Sequence, residues 1–114
     1  MAAKKLATHV SFQQALALGP PPTGNLATPV FAHGSLQVEL YAPVGQDLQT
    51  PHSRDEIYVV ARGHGRFFDG AATYPVSAGD FLFVPAGCEH RFKDFSEDFV
   101  VWVAFYGPEG GESA

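Results

Sequence analysis

From Thr28 onward the chain alternates apolar and polar residues with a period of two, the pattern of strands that bury one face. Leu36, Val38 and Leu40 alternate with Gln37, Glu39 and Tyr41. Strands are predicted over 29–33, 35–41, 56–61, 66–68, 72–76, 80–84, 88–92 and 99–106. Gly34 divides the first two as a hairpin, and Asp69-Gly70 and Ser77-Ala78-Gly79-Asp80 mark further turns. Short strands at this spacing predict an all-β sandwich or barrel. Upstream the period changes. Phe12, Ala15 and Leu16 share a face at three- and four-residue intervals, Ser11 and Gln14 have capping-box spacing, and Gly19-Pro20-Pro21-Pro22 stops the segment. A short helix over 11–19 is predicted, lying across an apolar surface. The chain therefore divides into an N-terminal helix with a Pro-rich linker (1–27), a β-barrel (28–107) and a flexible Gly-rich tail (108–114).

Two of these strands are apolar on both faces. Ile57, Val59 and Ala61 oppose Tyr58 and Val60, and Phe99, Val101, Val103 and Phe105 oppose Val100, Trp102 and Ala104. One barrel interior uses only one face. The other must meet the N-terminal helix or a second subunit, so a homodimer is expected.

At 114 residues the chain is one domain, and 46% apolar content with ten Phe supports a packed core. Only 17% of residues are charged, which argues against disorder. The net charge of −5, with no basic stripe, argues against nucleic acid and against anionic membrane surfaces. No apolar run reaches the ~20 residues that span a bilayer. Lys4-Lys5 followed by Leu6 to Leu18 has the outline of a signal peptide, but His9, Ser11, Gln13 and Gln14 interrupt its apolar run. One cysteine, Cys88, rules out an intramolecular disulfide and a cysteine-based zinc site, and points to the cytoplasm.

Candidate chemistry concentrates between Gly79 and Asp94. Phe81 to Val84 form a strand, Pro85-Ala86-Gly87 a turn, and a second strand follows with Cys88, His90, Phe92 and Asp94 on one face. Polar groups aimed at an interior are costly unless partnered. A bound metal ion is the economical partner if other ligands come from elsewhere in the chain. A second cluster, Thr50-Pro51-His52-Ser53-Arg54-Asp55-Glu56, leads into the strand that carries Tyr58 and ends before Gly63.

These two clusters resemble the paired motifs of the cupin superfamily. Gly79, Pro85, Gly87 and His90 fill the second motif, G-x5-P-x-G-x2-H-x3-N, with Asp94 at the usual Asn. His52, Glu56 and Gly63 fill the second His, the Glu and the closing Gly of the first motif, G-x5-H-x-H-x3,4-E-x6-G. Thr50 stands in place of the first His, and Gly45 comes one residue late. The resemblance implies a double-stranded β-helix, or jelly-roll barrel, in which His52, Glu56 and His90 face the interior and bind a divalent metal. Two imidazoles and a carboxylate suit Fe(II), and also Zn, Mn, Ni or Co. The bland alternative is a metal-free barrel with His52 and Glu56 as a surface turn pair.

Around that set, Tyr58 shares a face with Glu56 and reads as an acid or hydrogen-bond donor, or as a packed barrel aromatic. Arg54 is a candidate to hold a substrate carboxylate, whereas Arg91 should face away from His90. Thr50 reads as a hydrogen-bond partner for a water on the ion or as a packing residue. Cys88 reads as a neighbour of the ion or as a buried thiol, and Asp94 as an acceptor for a ligand His or as a turn residue. The expected function is a metal-binding single-domain cupin, an oxygenase- or isomerase-like enzyme acting on a small, anionic molecule, with the ion as Lewis acid or as holder of dioxygen and substrate together. The alternatives are a non-catalytic sensor or carrier of a small ligand, and a structural dimer with a degenerate site.

Overall fold

A computed structural model describes residues 5–113. Residues 1–4, with Lys4 of the basic pair, and Ala114 of the tail lie outside them. Among the described residues the chain forms one short helix, α1 (Phe12–Leu16), followed by eight strands. These are β1 (Thr28–His33), β2 (Leu36–Tyr41), β3 (Asp55–Arg62), β4 (His64–Phe68), β5 (Thr73–Ser77), β6 (Phe81–Val84), β7 (Arg91–Lys93) and β8 (Val100–Tyr106). They pair antiparallel in two sheets, β1-β2-β8-β3-β6 and β5-β4-β7, and make an all-β jelly-roll barrel.

The barrel core lies between the sheets. Tyr58 and Val60 of β3, Val101 and Val103 of β8, and Leu82 and Val84 of β6 meet Phe67, Val76 and Phe92 of the smaller sheet. Phe92 sits edge-on to Tyr58 and Phe99, with ring centroids 5.0 and 5.1 Å apart, the tilted geometry that aromatic quadrupoles favour.

The N-terminal helix covers one end of the larger sheet from outside. Its Ser11 cap and Gln14 form the expected capping box. Ala15 packs with Leu40 and Val100 in a second cluster, flanked by Phe12, Leu16 and Trp102. The helix is shorter than 11–19, because α-type bonding ends at Ala17 and the next two amides, Leu18 and Gly19, bond three residues back, to Ala15 and Leu16, ahead of the prolines.

This cover reverses the sense of β2. Its apolar row, with Leu40, turns outward to the helix, and its polar row, Gln37, Glu39 and Tyr41, lines the barrel cavity. The second strand of the Gly79–Asp94 stretch is also shorter than expected. Pairing with β4 begins only at Arg91, so Cys88 and His90 precede the strand.

Candidate metal centre

The barrel opens on a cavity of about 340 Å³, whose lining includes Gln37, Glu39, Gln49, His52, Arg54 and Phe105. Glu56 and His90 lie buried beside His52. One ligand atom from each of His52, Glu56 and His90 falls within 4.8 Å of the others. Glu56 is fully buried on β3, directly opposite Phe105 of β8 and Val84 of β6. His90 is 3% exposed. The His52 side chain keeps 32% exposure and so connects the cluster to the cavity.

Local structure explains the convergence. His52 leaves the long irregular segment before β3, where its ring packs edge-on to Phe105 at 4.7 Å. The Pro85–Gly87 turn docks on the same segment: Gly87 N–H donates to the His52 carbonyl at 2.7 Å, and Ala86 N–H donates to Asp55 Oδ1 at 2.9 Å. The turn between β6 and β7 is thereby fixed to the loop before β3, and the two motifs, far apart in sequence, are held together. Asp55, which opens β3, makes part of this link.

The cluster is rich in lone pairs. His52 Nε2, Glu56 Oε1 and Glu56 Oε2 are buried with no hydrogen-bonded donor. His52 Nε2 is 3.7 Å from Glu56 Oε2, and His90 Nε2 is 3.2 Å from Glu56 Oε1. Buried polar atoms left without partners are costly, and a cation among them would supply one. Two imidazole nitrogens and a carboxylate are the donor types that divalent transition metals take, so the cluster is able to hold a metal ion. Burial pulls the His90 imidazolium down, but the Glu56 carboxylate, the Cys88 carbonyl and the Asp47 charge outweigh it, and its pKa is raised overall. Burial, followed by the Glu56 charge, holds the Tyr58 hydroxyl well above the usual phenol range.

The other sequence candidates fall at different distances from this centre. Tyr58 Oη lies 2.9 Å from His90 Nε2. Arg54 lines the cavity, but Nη1 donates to the Ser35 carbonyl at 2.6 Å and Nη2 to Gln37 Oε1 at 2.6 Å, so part of its donor fork is committed to the wall. Thr50 is exposed and does not line the cavity. Cys88 turns its thiol to the Asp69 carbonyl at 3.3 Å, and its own carbonyl meets His90 Nδ1 at 2.9 Å. Asp94 is an exposed turn residue with φ of 49°.

Two buried polar residues escaped the sequence reading. Asp47 accepts from Tyr41 Oη at 2.7 Å and from the Phe92 N–H at 2.9 Å. It also accepts from the backbone and side-chain amides of Gln49 at 3.0 and 3.1 Å. Gln49 Oε1 in turn accepts from Tyr58 Oη at 2.8 Å. The one signal available in the sequence was the alternation Asp47, Gln49 against Leu48, Thr50, in a segment that forms no strand.

Fold and site together define a small jelly-roll barrel with a two-imidazole, one-carboxylate cluster beside an open cavity. The chain belongs to the cupin domain family, whose sequence profile matches residues 37–106. It is 43% identical over 63 residues to an uncharacterized protein of Streptomyces coelicolor, a match covering 55% of this chain and spanning 60% of that relative's length. A cupin-2 domain protein of Shewanella frigidimarina shares its fold with a TM-score of 0.69 and 17% identity, over 86% of this chain and 94% of the other. A protein of unknown function from Rhizobium leguminosarum gives a TM-score of 0.70 and 18% identity, over 90% of this chain and all (100%) of that one. At these identities the structural likeness concerns the fold.

Proposed function

We propose that this cupin binds a divalent metal through His52, Glu56 and His90 and acts on a small anionic molecule in the adjoining cavity, as an oxygenase- or isomerase-like enzyme. The observation that carries the reading is the set of buried polar atoms without partners, His52 Nε2 and both Glu56 oxygens, converging with His90. A bound ion would supply Lewis-acid polarisation of a substrate oxygen. Arg54 presents a cation on the cavity wall whose partners here are neutral oxygens, which supports an anionic substrate group. Tyr58 contributes a hydroxyl beside His90.

Elemental analysis of tag-free protein prepared without chelator tests this reading. Wild type should retain Fe, Mn, Ni, Co or Zn, and His52→Ala and His90→Ala should lose it. Wild type free of metal, and unable to take it up, would reject the site.

The second reading is a non-catalytic sensor or carrier, and the exposed Thr50 in place of the first motif histidine favours it. A cavity ligand recovered unchanged after long incubation with metal-loaded protein would support binding over turnover. A cytoplasmic location is part of the proposal, supported by a single cysteine whose thiol donates to the Asp69 and Glu89 carbonyls. So is a homodimer built on the uncovered part of the larger sheet, where Phe81 and Phe83 are 62% and 50% exposed.

A further inference from the structure

The segment before β3 turns Asp47 and Gln49 inward and Leu48 and Thr50 outward. The position where the family motif carries a histidine therefore faces solvent, and its inward neighbour is an amide. That amide does not reach the metal cluster directly. It reaches Tyr58, and Tyr58 reaches the cluster.

Hydrogen counting along this chain fixes its direction. Asp47 receives four donors, two on each oxygen, which saturates a carboxylate. One of those donors is Gln49 Nε2, so the Gln49 amide can present only its oxygen to Tyr58. A phenol has one hydrogen, and here it is spent on Gln49 Oε1 at 2.8 Å. On its other side Tyr58 Oη offers lone pairs alone, 2.9 Å from His90 Nε2. The neutral His90 ring places its hydrogen on Nδ1, against the Cys88 carbonyl at 2.9 Å, which leaves Nε2 bare as well. In that neutral tautomer Oη and Nε2 face each other as two acceptors, beside the unpartnered His52 Nε2 and Glu56 oxygens. A proton on His90 would serve Tyr58 and one Glu56 oxygen and leave His52 Nε2 without a partner. A metal ion serves them all.

We propose that Asp47 and Gln49 are positioning residues that turn the Tyr58 hydrogen away from the His52–Glu56–His90 cluster, so that Tyr58 Oη faces a bound metal as an acceptor, an oxygen in the role left open by Thr50. The inference rests on the metal-binding reading and adds to it a fourth donor atom and the device that orients it. Tyr58, expected from the sequence as an acid or donor toward the pocket or as a packed barrel aromatic, takes the part of an acceptor there.

Cobalt(II) alone is the probe, titrated into metal-free full-length protein and read by calorimetry and by its visible absorption bands. Wild type should bind it. Tyr58→Phe and Gln49→Met should each weaken binding about tenfold or more, the scale of lost supporting contacts at metal sites. Both variants should shift the cobalt bands in the same direction. The double variant should bind no more weakly than Tyr58→Phe, because Gln49 acts only through Tyr58. Tyr58→Phe with wild-type affinity and bands overturns the proposal and leaves the metal site standing, as does a double variant that loses the two effects additively. A wild type that takes up no cobalt overturns the metal reading itself. The Raman tyrosine doublet of wild type minus Tyr58→Phe gives a check independent of whether Gln49→Met folds. A hydroxyl that donates supports the inference, and one that only accepts overturns it.

Discussion

Glu39 shows how far burial alters a single side chain here. It lines the cavity from β2, and burial, then the charge of Glu56, raise its pKa from the usual 4.5. The fold thus prefers the protonated carboxyl. The stability this contributes is fully present below the unfolded value and is lost as pH rises through the folded value. Glu39→Gln cannot ionise, so in metal-free protein its urea midpoint should match wild type near pH 4 and exceed it near pH 7. A difference that stayed flat or reversed with pH would contradict the assignment. The alternation that puts Glu39 in a row with Gln37 and Tyr41 is plain in the sequence, but which row faces inward is not. Leu36, Val38 and Leu40 would ordinarily claim the barrel core, but the row faces outward, where the helix, arriving from residues far upstream, buries Leu40. His52, Glu56 and His90 were legible because their spacing is fixed by turns with Pro and Gly. Asp47 and Gln49 were not, because they lie in an irregular segment whose short alternation puts the apolar Leu48 in the opposite row and so points to the wrong face.

Among the elements, the junction of β3 and β4 shows how tightly the strand ends are set. Gly63 has φ of +82°, and a Cβ there would lie 2.5 Å from Ser96 Oγ and 2.9 Å from the Phe99 Cα. Gly63→Ala therefore combines a left-handed backbone with a clash against main chain, and should cost about 2 kcal/mol or more in chemical denaturation. Gly34, also at positive φ, has open space around its Cβ, so Gly34→Ala should cost less. Equal costs would show that the close approach at Gly63 relaxes freely. The family motif marks Gly63 by its spacing, but the residue pressing on it, Ser96, lies beyond the second motif. Strand β7 was similarly misjudged at its start. Cys88 and His90 share the parity of Phe92, yet pairing with β4 begins only at Arg91, and the backbone before it instead supplies the carbonyl that orients His90.

For the molecule as a whole, the larger sheet has an outer face that the helix covers only in part. Near β6, at the sheet edge, Ile57 pairs with Phe83 and Val59 with Phe81, and Val59, Phe81 and Phe83 are exposed. A two-faced apolar strand was readable as a pattern, and its two faces are now assigned: Val101 and Val103 to the core, Val100 to the helix cluster. Light scattering at high micromolar concentration should find a dimer for wild type and a monomer for Phe81→Glu/Phe83→Glu, with metal content unchanged. A monomeric wild type would end the dimer proposal. Among the described residues no helix is long and apolar enough to cross a membrane.

Asp55 has a wider consequence than its place at a strand end suggests. Its Oδ1 holds the Ala86 amide, its Oδ2 holds the Glu112 amide, and Gly110 N–H donates to the Ser53 carbonyl beside it. Two stretches of backbone, at Ala86 and at residues 110–112, are thus clasped to the segment that follows His52. Whatever pulls on residues 110–112, whether a fused tag or an engineered linker, pulls on the loop that carries the His52 imidazole, so the choice of which end to tether is a choice about the geometry of the pocket.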